Sequence, residues 1–86
     1  MEKRISLTAN GTTVHFNVNA AAYDKFIDEM EPSKKVGPAK NLLMRTVAAE
    51  SKEALKTLLE TPGMALNLVG ALVENYAPDI NVTLGE

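Results

Sequence analysis

Residues 4–18 read "RISLTANGTTVHFNV", and the way this stretch alternates decides the fold. In "RISLT" Ile5 and Leu7 share one side; in "TTVHFNV" Val14, Phe16 and Val18 share one side. Between them "ANG" supplies a residue pair that tolerates positive φ, the usual chemistry of a tight hairpin turn. A β-hairpin over 3–18 is therefore expected. Two strands alone are marginally stable in water, so their apolar face needs a cover.

The sequence that follows supplies the cover. Asn19 suits the N-cap of a helix over 20–30, where Tyr23, Phe26, Ile27 and Met30 recur at helical spacing as one apolar stripe. Asp24, Asp28 and Glu29 fall largely off that stripe. "EPSKKVGPAK" then breaks the helix with Pro32, Gly37 and Pro38, and a mobile basic loop is expected over 31–38. Helical signals resume over 39–60, broken near Ser51, which can cap a second helix carrying Leu55, Leu58 and Leu59. One continuous helix over 39–60 is the rival reading. In "TPG" at 61–63, Thr61 suits an N-cap and Pro62 the first helical position of a helix over 62–76. Leu68, Val69, Leu72, Val73 and Tyr76 form its stripe, and Gly70 suits the close approach of a neighbour. After Pro78 the tail "DINVTLG" alternates again through Ile80, Val82 and Leu84, so a strand over 79–84 is expected to join the hairpin. The fold class is α+β: an N-terminal β-hairpin plus a C-terminal strand form a small sheet packed on three or four helices, in the order ββααα(α)β.

Eighty-six residues make one small domain, 1–86, with a thin core. With no cysteine, neither disulfides nor thiolate metal sites are available, and stability must come from packing or self-association. The N-terminus "MEKRISLTANG" lacks the apolar core of a signal peptide, and no apolar run approaches a membrane span, so a soluble cytoplasmic protein with no membrane role is expected. Nine basic and eleven acidic residues give a formal net charge of −2, which offers no global reason to bind nucleic acid. The charges are uneven, however. Lys34, Lys35, Lys40 and Arg45 lie between Pro32 and Arg45 without a single acid.

No constellation for catalysis emerges. His15 is the only histidine, and its place between Val14 and Phe16 turns it away from the apolar side of the hairpin. Ser6, Ser33 and Ser51 stand in no nucleophile elbow. Asp24 and Asp28, one turn apart, have no sign of the burial that would separate their pKa values. Neither "NGT" at 10–12 nor "GPAK" at 37–40 is a phosphate loop, and no spacing of side chains suits a metal. No enzyme activity, cofactor or metal is expected. For nucleic acid, Lys40 and Arg45 fall about 140° apart around a helix axis and make no single stripe. Surplus apolar surface remains. Leu42, Leu43 and Met44 spread over about 200° of their helix, wider than a core stripe requires. Leu66 and Ala71 lie off the main face of the last helix. Part of this surface is left for a homo-oligomer contact or for a segment of another protein.

"NLLMRTVAAESKEAL" at 41–55, "LLETPGMAL" at 58–66 and "ENYAPDINVTL" at 74–84 resemble the tail assembly chaperones of long-tailed phages. The likeness extends to "TANGTTVHF" and "YDKFIDEM" in the first third. It is one of pattern and word order, without a chemical motif. The resemblance implies an accessory protein of the host cytoplasm, absent from the finished virion. Its partner would be the tape measure protein, a long helical and rather apolar polypeptide kept soluble while tail tube subunits polymerise around it. On that reading the helices at 39–60 and 62–76 present the apolar contact, with Lys34, Lys35, Lys40 and Arg45 as a basic rim. The candidate binding residues are Lys40, Leu42, Met44, Arg45 and Leu66. Two alternatives stand beside it: a small nucleic-acid-binding or regulatory protein using the basic segment 34–45, and a self-associating structural protein.

Overall fold

The computed structural model describes residues 2–77, 82, 84 and 85. Two antiparallel strands, β1 (Lys3–Ala9) and β2 (Thr12–Val18), pair without a bulge from Lys3↔Val18 to Ala9↔Thr12. Asn10 and Gly11 join them with φ of 51° and 80°, the conformation a two-residue turn needs to match strand twist. The alternation separates the two faces. Ile5, Val14, Phe16 and Val18 are buried on the inner one. The outer face is polar and cross-linked: Ser6 Oγ lies 2.6 Å from His15 Nδ1, and the Thr8 and Thr13 hydroxyls 2.8 Å apart.

Four helices follow: α1 (Ala20–Glu29), α2 (Val36–Thr46), α3 (Lys52–Leu58) and α4 (Met64–Tyr76), with a 3₁₀ turn at Ala49–Ser51 before α3. Asn19 caps α1, its Oδ1 accepting from the Ala22 amide at 2.8 Å. Helix α2 packs on α1 and α4, α4 covers β1, and α3 lies against β2. Phe16, Leu42, Leu43, Leu55 and Leu72 are fully buried where these elements meet.

Among the described residues the sheet holds only the two N-terminal strands, and the expected third strand is not part of it. Val82 and Leu84, the members of that expected strand that are described, belong to no strand and are 82% and 87% exposed. Residues 79–81 and 83 lie outside the described residues. The free edge of β2 is covered by a different piece of chain. Because the turn closes on the Ala9–Thr12 pair, alternate residues of β2 point their N–H and C=O away from β1, and His15 is one of these. The Ala48 amide donates to the His15 carbonyl at 2.8 Å, and the His15 amide donates to Ser51 Oγ at 3.0 Å. Phe16 and Val47 form a bridge beside them.

This docking also explains where the central helix breaks. Val47 and Ala48 are extended, with ψ of 137° and 147°, so the break comes four residues before Ser51. Ser51 makes no side-chain cap, because its hydroxyl serves the strand instead. Other local expectations shift for similar reasons. Helix α2 begins at Val36 with Pro38 in its first turn, where a missing N–H leaves no bond unmade. Helix α4 begins after Gly63, which adopts φ 83° as the N-cap, so neither Thr61 nor Pro62 takes the role their types suggested. On α1 the buried side chains are Ala22 and Phe26, while Ile27 and Met30 are exposed. Gly70 admits no close neighbour: a Cβ there would meet nothing within 4 Å.

Arg4 ties the outer face of the hairpin to the 3₁₀ turn through a 2.7 Å ion pair with Glu50. The hydrogen bond from Arg4, with help from a backbone amide, holds the Glu50 carboxyl below its ordinary value of 4.5. A depressed folded-state pKa contributes stability above the unfolded value, and that contribution is lost as pH falls through the folded value. Glu50→Gln should therefore lower the melting temperature slightly at pH 7, and the gap to the parent should close as pH drops below about 4.5. Ser51→Ala leaves the His15 amide without its acceptor and should cost about 1–2 kcal/mol. Urea unfolding would show this as a lower midpoint with an unchanged slope.

Candidate functional site

The five candidate binding residues do not form one site. Leu42 is 1% exposed and belongs to the core. Met44 is half-buried and packs against that core. Arg45 is exposed at the end of α2, but it is paired with Glu29 of α1 at 3.5 Å. It lines a shallow hollow of mixed character with Asn17, Asn19, Ala21, Ala22, Lys25 and Thr46. Lys40 and Leu66, by contrast, are brought together. Both line a cavity of about 190 Å³ between the start of α2, the α3–α4 turn and the start of α4.

The walls of this cavity are apolar. Val36 comes from α2, Leu59 from the end of α3, Pro62 from the turn, and Ala65 and Leu66 from α4. Val36 is 47% exposed and Leu66 43%, an unusual state for two aliphatic side chains facing one hollow. Val36 and Lys40 are four residues apart on α2 and so lie on the same side of it. Lys40 is the only charged residue in the lining. Among the described residues the ion pairs are Arg4–Glu50, Arg45–Glu29 and Lys56–Glu53, so Lys34, Lys35 and Lys40 carry uncompensated charge.

Of the five apolar wall residues, four (Val36, Leu59, Pro62 and Ala65) are not among the candidate binding residues. Val36 sits between Lys35 and Gly37, in a segment whose composition suggests a wet loop. Its four-residue spacing to Lys40 was the one signal available. The sequence offers Pro62 as the first position of a helix and Leu59 as part of the stripe with Leu55 and Leu58, neither of them a sign of a binding surface. Both stand at the α3–α4 corner, where the chain turns through Thr61–Gly63. Lys40 and Arg45 line different hollows and so do not belong to one site.

The lining of this cavity holds no acid and no histidine. Among the described residues no group of three or more His, Asp or Glu side chains could hold a metal ion. His15 is on the outer face of the hairpin, engaged with Ser6. No helix of the described residues is long and apolar enough to cross a membrane.

The contrast between Leu42 and Leu66 can be measured. Leu42→Lys would bury a charge in the core, and a cost of about 4 kcal/mol or more should abolish the cooperative melt. Leu66→Lys should change stability by no more than about 0.5 kcal/mol. Thermal melts followed by circular dichroism would separate the two.

A family model described as "Phage tail assembly chaperone" matches residues 5–86 of this chain. An uncharacterized 11.3 kDa protein in the lys 3' region of Haemophilus phage HP1 (strain HP1c1) is 32% identical over 84 residues, covering 98% of this chain and 82% of that protein. No solved structure matches the chain. A match that begins in the first strand and runs to the last residue, together with a relative 32% identical across nearly the whole chain, leads to one conclusion: the chain belongs to the phage tail assembly chaperone family.

Proposed function

We propose that the chain binds the tape measure protein during tail assembly and does so at the cavity between α2 and α4. The observation that carries this reading is the pair Val36 and Leu66, two half-exposed aliphatic side chains lining one hollow beside an unpaired lysine. A chaperone for a long apolar polypeptide needs apolar surface that its own fold leaves open. Here that surface is made by two helix starts and a turn rather than by the middle of a helix. The sequence neighbours of Lys40 and Leu66, Ala39 and Ala65, are buried, so both helix starts are anchored in the core. The site is built on rigid elements, and occupying it requires no unfolding of the chaperone. Its place of action is the host cytoplasm, before the tail is complete.

The test is co-expression with the tape measure protein encoded in the same genome. Tape measure protein should co-purify with the chain, and the fraction that stays soluble should rise. Leu66→Glu should abolish recovery while the variant melts like the parent. With both proteins well expressed, absence of recovery and of any gain in solubility would end this pairing.

A further inference from the structure

The cavity between α2 and α4 has the dimensions and charge of a reader for a two-part signal. Its volume of about 190 Å³ is slightly larger than a ~150 Å³ apolar cavity that holds one benzene-sized molecule. It therefore takes one branched or aromatic side chain and not a run of them. Val36, Leu59, Pro62, Ala65 and Leu66 give that side chain apolar contacts on several sides.

Lys40 adds the second part. It belongs to the lining itself, one helical turn along α2 from Val36. Lys34 and Lys35 precede α2, and no acid occurs between Pro32 and Arg45. The one cation of that run that is neutralised, Arg45, pairs with Glu29 at the opposite end of the helix. Glu60 neighbours Leu59 and Thr61 in sequence but does not line the hollow. A purely apolar guest would leave Lys40 partly desolvated without a counter-charge, and a basic guest would be repelled.

We propose that the site selects a segment in which one large apolar residue is followed or preceded, within a helical turn, by Asp or Glu: the apolar side chain fills the cavity and the carboxylate pairs with Lys40. This rests on the reading of the cavity as the tape measure site, and it names which segments of that partner are taken. The chaperone would then occupy discrete positions along the tape measure protein, set by where acids flank apolar residues, instead of coating every apolar stretch alike.

Three labelled helical peptides provide the test, identical except for Glu, Gln or Lys placed four residues from a single Leu anchor. Binding to the full chain is followed by fluorescence anisotropy. Replacing attraction by repulsion should separate the Glu and Lys peptides by about tenfold in affinity. Lys40→Glu, at an exposed position, should fold normally and reverse the order. Equal affinity of the three peptides, no binding by any of them, or an order unchanged by Lys40→Glu would overturn the proposal. Co-purification separates this outcome from failure of the underlying reading. If the parent and Lys40→Glu recover tape measure protein equally, only the carboxylate requirement falls. If the parent recovers none, the tape measure reading falls with it.

Discussion

The backbone of His15 is held by the chain that follows α2, and the rest of the domain depends on that attachment. Its carbonyl accepts from Ala48 and its amide donates to Ser51 Oγ, with Phe16 bridged to Val47 alongside. A two-stranded hairpin has two unsatisfied edges, and an extended connector fastened along β2 satisfies one of them. The same connector forces α2 to stop at Thr46 and sends α3 back across β2. Since α3 is only seven residues long, the chain turns again at Leu59–Gly63 and α4 starts beside α2. The position of the cavity is thus a consequence of how the hairpin edge is closed.

Burial reinforces the arrangement. Phe16 and Val14 of β2 are fully enclosed, as are Leu42 and Leu43 of α2, Leu55 of α3 and Leu72 of α4, so each element contributes to one cluster. In a chain of 86 residues that cluster is nearly the whole core. Apolar side chains left outside it are therefore noticeable. Ile27 and Met30 are exposed on α1, while Val36 and Leu66 are exposed on the walls of a hollow. The second pair combines apolar walls with uncompensated positive charge, which is why we propose the binding function there.

Local signals carried much of this fold. Strand alternation and the Asn10-Gly11 turn specified the hairpin and its register, Asn19 specified the start of α1, and the stripe from Leu68 to Tyr76 specified α4. What could not be read locally were choices settled by distant contacts. Ser51 is a sound N-cap type, yet its hydroxyl is claimed by His15, 36 residues earlier. Residues 79–84 have the alternation of a strand, yet among the described residues the sheet holds only β1 and β2, and the edge of β2 is met by Val47 and Ala48. Leu42 and Leu66 are both candidates by sequence, yet one is buried and the other exposed, because helical spread alone does not tell which side meets the core. Lys40 was legible from charge, whereas Val36 was hidden by the Lys, Gly and Pro around it.

Hydrogen–deuterium exchange on the complex with tape measure protein addresses the central claim most directly, since it reports where the partner lies without any substitution. The expected result is added protection at residues 36–40 and 62–67 on complex formation, with β1 and β2 unchanged. Protection confined to the exposed face of α1 around Ile27 and Met30, with residues 36–40 and 62–67 exchanging as in the free chain, would contradict the placement of the site.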